Sequence, residues 1–113
     1  MQNSERFSKQ ILSQAVTAAA VVDLFDDVEI GGISNLSITV TNVGPGSLTV
    51  YFKRSTSTGI PPIELTALTK ALAAGKSTEV VFNGNCGELF TLTVEETTKS
   101  LNTVVSAAIR GMT

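Results

Sequence analysis

Residues 36–53 read LSITVTNVGPGSLTVYFK, two alternating segments on either side of a glycine-rich turn. Apolar side chains occupy every second position from Leu36 to Val40 and again from Leu48 to Phe52. This period of two is typical of strands that bury one face. Because the connecting sequence Asn-Val-Gly-Pro-Gly is a strong turn signal, the stretch predicts two antiparallel strands joined as a hairpin.

The C-terminal half shows the same alternation. Residues 78–82 and 89–94 flank an Asn-Gly-rich turn and predict a second hairpin. Residues 101–109 alternate in the same way and predict a closing strand. Upstream, residues 18–30 are expected to supply one or two short strands. The prolines of residues 61–65 suit an edge strand rather than a central one.

Six to eight short strands in a chain of 113 residues predict an all-β fold. The architecture that fits is an antiparallel β-sandwich of immunoglobulin-like or jelly-roll type, which we place at residues 21–113. Residues 65–74 predict one or two helical turns between strands, because their alanines and leucines fall at helical spacing. The length indicates one domain.

Residues 1–20 are expected to form a short N-terminal helix or arm. Within them, Phe7, Ile11 and Leu12 fall at helical spacing and predict a helix over residues 3–14. So short a helix is marginal alone and needs a docking partner. That partner is either this chain's own sandwich or a neighbouring subunit or larger scaffold. We therefore interpret these three side chains as candidate protein-interface residues.

The composition excludes several kinds of chemistry. The sequence contains no histidine and one cysteine, Cys86, so histidine-dependent catalysis and a tetrahedral zinc site are excluded. We assign Cys86 no role, and we expect no catalytic residues, no cofactor and no enzyme activity. A net charge of −2, with scattered basic residues, argues against a nucleic-acid partner. The apolar part of the N-terminal segment is too short to span a bilayer, so we expect no membrane partner.

Three polar groupings in the sequence could carry a function. The acidic run of residues 23–29 supplies oxygen ligands of the kind calcium takes, from Asp23, Asp26, Asp27 and Glu29, but its spacing is not that of an EF-hand. A solvated acidic turn is the favoured interpretation. The adjacent carboxylates Glu95 and Glu96 point to opposite faces of a strand, so we interpret them as a solvated strand end.

The third grouping is the aromatic and basic run of residues 51–54. Its alternation turns Phe52 inward and leaves Tyr51 and Lys53 on the outer face. One exposed ring is a poor platform for single-stranded nucleic acid, which stacks its bases on several. A contact surface for another protein is favoured, so Tyr51 is the fourth candidate interface residue.

The chain resembles a recurrent module over residues 33–110. The strand and turn of residues 33–50 are followed by Leu-Ala-Ala-Gly-Lys-Ser-Thr at residues 72–78 and by the strand at residues 89–94. This layout resembles the immunoglobulin-like modules of tailed-bacteriophage structural proteins, including capsid decoration (cement) proteins. In that layout Asn42 would cap the turn, Gly44 would permit its backbone, and Gly75 would end the helical connection.

The resemblance implies a structural virion protein that binds the outer surface of a phage head in many copies and stabilises it. Its partner would be the major capsid protein, a homotrimer would be plausible, and the protein would be made in the host cytoplasm and end on the capsid surface. Two alternatives stay open. One is an adhesion or carbohydrate-binding β-sandwich module, and the other is a structural component of a phage tail.

Overall fold

A computed structural model describes the backbone of residues 6–30, 33, 35–55, 63–83 and 89–112, and their side chains except those of Arg6, Phe7, Asp27 and Met112. These described residues form nine strands and one short 3₁₀ helix at Thr66–Leu68. The strands in chain order are β1 (Arg6–Val16), β2 (Val21–Glu29), β3 (Asn35–Asn42), β4 (Leu48–Ser55), β5 (Ile63–Glu64), β6 (Lys70–Leu72), β7 (Ser77–Asn83), β8 (Leu89–Glu96) and β9 (Thr103–Met112).

The strands form two antiparallel sheets. Sheet A has the order β1-β9-β3-β7, and sheet B has the order β2-β8-β4-β5, with β6 also paired to β4. The first strand thus pairs with the last, β2 with β8, and β3 with both β9 and β7. This wrapping of one long antiparallel ribbon is the topology of a jelly roll. The predicted all-β sandwich is confirmed, and its strand order is of the jelly-roll rather than the immunoglobulin-like type.

The core lies between the two sheets and is built from the alternation in the sequence. The inward positions of the central strands are fully buried, whereas their neighbours in sequence face outward. Phe52 from sheet B packs beside Phe90, with ring centroids 6.4 Å apart. The largest buried apolar side chains are Phe52, Phe90, Ile30, Leu36, Ile38, Leu48, Leu92 and Ile109.

Both predicted hairpins are wrong in their pairing, although their strands are present. β3 belongs to sheet A and β4 to sheet B, so the glycine-rich connection at residues 43–47 crosses between the sheets. β7 and β8 are divided between the sheets in the same way, and the turn predicted between them lies outside the described residues. The alternation determines which face of a strand is buried, but it does not determine which strand pairs with it. In this protein β3 pairs with β9 and β4 pairs with β8, and both partners are distant in the sequence.

The predicted N-terminal helix is also wrong. Residues 6–16 form β1, which pairs with β9 from Arg6↔Met112 to Val16↔Thr103. A register shift between Ile11 and Gln14 adds an irregularity to the strand. Such a bulge changes the spacing of inward positions, so a strand can mimic the helical spacing of its apolar residues. Pairing along β9 overrides the weak local helix propensity.

Three further predictions concern single elements of the structure. The one or two strands predicted at residues 18–30 are a single strand, β2, with two register shifts. β5 lies at the edge of sheet B, as its neighbouring prolines predicted. The helical turns expected at residues 65–74 reduce to one 3₁₀ turn followed by β6. No helix in the described part of the chain is long and apolar enough to cross a membrane.

Candidate functional surfaces

Four connections meet at one end of the sandwich, which we call the Glu96 end. They are the loops at residues 17–20, 43–47, 73–76 and 97–102. Backbone hydrogen bonds join them to one another and to the strand ends, including Glu96 N–H to Ala20 O at 3.0 Å and Asn42 N–H to Lys76 O at 2.9 Å. Three buried polar side chains, Glu96, Asn42 and Thr103, lie at this end.

Glu96 is fully buried, and its carboxylate is surrounded by donors from two loops. Oε1 accepts hydrogen bonds from the backbone N–H of Ala19 at 3.0 Å and of Lys99 at 2.7 Å. Oε2 accepts from the backbone N–H of Thr98 at 2.8 Å and from the Thr98 hydroxyl. Ala19 and Lys99 have φ values of 63° and 67°, a left-handed conformation that non-glycine residues adopt rarely. The carboxylate therefore holds two strained loop residues in place.

These contacts determine the ionisation of Glu96. Burial alone raises the pKa of a carboxylate, because it disfavours the charged form. Here the hydrogen bonds from the Thr98 hydroxyl and from the amides of Ala19, Thr98 and Lys99 outweigh burial and lower the pKa from 4.5 to about 2. The group is an anion that ties loops together. The interpretation of Glu96 as part of a solvated strand end is wrong, because the side chain is fully buried.

The side chain of Asn42 links the crossing between the sheets to two other segments, β6 and β9. Its side-chain amide donates to Gly46 O at 2.6 Å and to Leu72 O at 3.0 Å, and its Oδ1 accepts from the Thr103 hydroxyl at 2.7 Å. The residue is fully buried. Asn42 thus caps the connection at residues 43–47, as the resemblance implied, and also holds β9 and β6 beside it.

The outer face of sheet B carries the second candidate group. Tyr51 lies here, half-buried, and its hydroxyl donates to Glu95 Oε1 at 2.8 Å. Beside it, the Thr93 hydroxyl donates to Asp23 Oδ1 at 2.6 Å. Phe52 points inward and is fully buried, so the predicted alternation of Tyr51, Phe52 and Lys53 is confirmed. Tyr51 therefore lies on the outer face of sheet B and already forms a hydrogen bond within that sheet.

Glu95 changes the ionisation of Tyr51, and this can be measured. The hydrogen bond to Glu95, followed by burial and the negative charges of Glu95 and Glu64, raises the pKa of Tyr51 above 10.0. The chain has one tyrosine and no tryptophan, so a near-ultraviolet titration reports on this group alone. We expect Glu95→Gln to lower the titration midpoint. The matched control Glu79→Gln, on sheet A, should leave the midpoint unchanged; equal midpoints in all three proteins would contradict the bond.

The acidic run does not form the acidic turn expected from the sequence, because these residues belong to β2. Asp23 accepts the bond from Thr93, while Asp26 and Glu29 are exposed, and the side chain of Asp27 lies outside those described. Among the described residues, no three carboxylate or cysteine side chains come together in a way that could hold a metal ion. Cys86 also lies outside the described residues.

β1, at one edge of sheet A, carries the remaining predicted interface residues. Ile11 is half-buried and packs against the core, and Leu12 beside it is 75% exposed at the register shift of β1. The side chain of Phe7 lies outside those described. A shallow depression of about 160 Å³ is lined without charged residues, by Gln10, Ile11, Leu12, Thr39, Thr41, Ser106, Ala107 and Ala108.

Comparisons with known proteins identify the fold. No protein-family model matches the chain, and no curated protein matches it significantly. Among solved structures, it is similar to a protein of the Bacillus endospore appendages, described as a novel family of disulfide-linked pili. The identity is 18%, the match covers 97% of this chain and 90% of that one, and the TM-score is 0.56.

Two other similar structures are the SPBc2 prophage-derived protein YomS and the PBSX exported protein XepA. YomS is 14% identical, with 100% of this chain and 97% of that one covered and a TM-score of 0.56. XepA is 11% identical with a TM-score of 0.67; the match covers 94% of this chain and 36% of XepA. The structures that share this fold thus include phage-derived and appendage proteins. At these identities, the likeness identifies the fold.

Proposed function

We propose that this protein is a non-enzymatic structural protein of a phage-type particle, a capsid decoration protein that binds the outer surface of a head. The observation that carries the proposal is the charge-free depression on sheet A with Leu12 exposed beside it. Depletion of charge around apolar side chains is characteristic of the buried centre of protein interfaces. The fold likeness to a prophage-derived protein supports the particle assignment.

Many identical copies would make a modest contact effective. A protein that binds only the assembled shell stabilises that shell by mass action. In this proposal the partner is the major capsid protein, and the face of sheet A around Ile11 and Leu12 is the contact. A position on the capsid surface and a homotrimer formed on the shell remain predictions of the same proposal.

A subunit of a surface appendage is the second candidate. It is favoured by the likeness to the endospore appendage protein, which extends over nearly the full length of both chains. A disulfide-linked polymer needs at least two linking cysteines in each subunit. The sequence has one, which can join a copy to a single neighbour, so an appendage of this chain would need non-covalent contacts.

Immunogold electron microscopy separates these candidates. Particles and surface structures from the source cells would be labelled with an antibody raised against the purified protein. We expect label on the outer surface of phage heads. Label confined to filaments would favour the appendage, label on tails would favour a tail component, and either result would overturn capsid decoration.

A pair of variants then tests the proposed contact. Leu12→Asp places a charge in the apolar face of sheet A and should reduce the copies that co-sediment with heads by at least about tenfold, because an unpaired carboxylate would be buried. Val21→Asp is the matched control, since Val21 is 61% exposed on β2 of the other sheet. Equal binding by both variants would show that sheet A is not the contact.

A further inference from the structure

The lateral edges of the two sheets differ in how well they are protected against pairing with another chain. Natural edge strands are blunted by bulges, by charges and by short length. β1 has a register shift. Its charged residue Lys9 pairs with Ile109 and therefore lies on the same face of the sheet as that residue. β2 has two register shifts and carries exposed carboxylates, and β5 is two residues long. These edges are protected.

β7 has neither a register shift nor so short a length, and its one charged residue is Glu79. It pairs with β3 over seven consecutive residues, from Ser77↔Thr41 to Asn83↔Asn35, without a register shift. It stands at the end of the sheet A order, and no backbone hydrogen bond joins its other side to a described residue. Its central sequence is Glu-Val-Val-Phe, in which Val81 is 55% exposed. β7 is therefore a regular, apolar edge open to strand addition.

We propose that the edge of β7 binds the β7 edge of a second copy of this chain, antiparallel, about a two-fold axis at Val80. The register of this pairing indicates a second copy of the chain as the partner. With Val80 opposite Val80 of the second copy, the whole of β7 is paired, and each Glu79 lies opposite a Val81. Moving the axis to Glu79 would place two carboxylates directly opposite each other, which is destabilising.

The same register brings together the apolar side chains at the edges of the two cores. Thr78, Val80 and Phe82 lie on the inward face of β7, and Val80 and Phe82 pack half-buried against the core. In the paired state, Val80 meets Val80 and Phe82 meets Thr78 across the new strand pair. Pairing with β2 of a neighbour would instead bring Glu79 toward the carboxylates of that edge. In the self-paired register the two Glu79 carboxylates are diagonal neighbours rather than directly opposite each other.

The product is a continuous eight-stranded sheet across two sandwiches. A contact of seven residues per strand is small, so we expect association at high micromolar concentration or above, where copies are crowded. The proposal depends on the edge geometry of the free protein and does not require that it bind a phage head. The two proposals can therefore fail separately.

Solution mass and amide exchange test the proposal on the full-length protein. We expect the light-scattering mass to rise from monomer to dimer with concentration, and the amides of β7 to exchange more slowly as it does so. Val80→Lys should weaken association at least about tenfold, because two lysines would face each other. Val22→Lys is the matched control, the same change at a half-buried valine of β2.

Three results would overturn the proposal. They are a monomer at every concentration, equal weakening by both lysine variants, or a larger species in which the exchange of β7 is unchanged. Circular dichroism verifies that both variants are folded. The exchange measurement on the unaltered protein stands even if Val80→Lys does not fold.

Cysteine pairs test the register itself, in a Cys86→Ser background. Val80→Cys should oxidise readily to a disulfide-linked dimer, because directly opposed residues have Cα atoms about 4.5–5.5 Å apart. Glu79→Cys and Val81→Cys should each link poorly alone and efficiently when mixed. Efficient linking of Glu79→Cys to itself would show that the axis lies elsewhere and overturn the stated register.

Discussion

Asn42→Ala is expected to lower the free energy of unfolding by about 3 to 4 kcal/mol, since buried partners left unsatisfied cost about 1–3 kcal/mol each. The carbonyls of Gly46 and Leu72 would lose their donor, and the Thr103 hydroxyl would lose its acceptor. Urea unfolding followed by circular dichroism measures the change. For a domain of this size, the loss is a large fraction of the total stability.

Asn35→Ala is the matched control for this prediction. Asn35 is the same residue type at the other end of the same strand, and it is exposed. We expect its replacement to change the stability by no more than about 0.5 kcal/mol. If the two alanine variants unfold at the same urea concentration, the network around Asn42 does not support the crossing between the sheets.

Gly44 shows why this crossing tolerates so little change. The resemblance implied that Gly44 permits the backbone of the turn, and among the described glycines a positive φ is found at Gly75 rather than at Gly44. At Gly44 the constraint is space. A Cβ there would lie 2.5 Å from both Thr103 Oγ1 and the backbone nitrogen of Val104. The lack of a side chain at Gly44 allows residues 43–47 to approach β9 closely.

The alternation in the sequence was sufficient to predict the core. Residues such as Ile38, Val40 and Phe52 were assigned inward-facing positions because they recur with a period of two, and all three are fully buried. The same pattern could not reveal that β3 and β4 lie in different sheets. A turn-rich segment between two amphipathic strands serves equally well for a hairpin and for a crossing between layers.

The polar contacts at the Glu96 end were less accessible to sequence reasoning. Opposite orientations for Glu95 and Glu96 follow from strand geometry, and the structure has them. What makes Glu96 a structural anion is the approach of Ala19, 77 residues away along the chain. Thr98, two residues after Glu96, was the one local signal, because a hydroxyl at that distance can bond a preceding carboxylate.

Glu96→Gln is expected to destabilise the protein far more than Glu95→Gln. Glutamine has the shape of glutamate, but its NH₂ group would replace an oxygen that now accepts from backbone amides. With Oε1 facing two N–H groups and Oε2 facing one, either orientation sets donor against donor. Glu95 lies on the outer face with the Tyr51 hydroxyl as its partner, so it serves as the matched control.

The pH dependence gives this prediction a second, independent measurement. The pKa of Glu96 is about 2 in the folded protein against an ordinary 4.5, so its contribution to stability is fully present above pH 4.5 and is lost as the pH falls toward 2. The difference in unfolding free energy between the wild type and Glu96→Gln should therefore be constant from pH 7 to about 5 and shrink below that. A difference that is the same at pH 7 and pH 2.5 would mean that the charge of Glu96 does not hold the loops, and that the glutamine variant is destabilised by its shape alone.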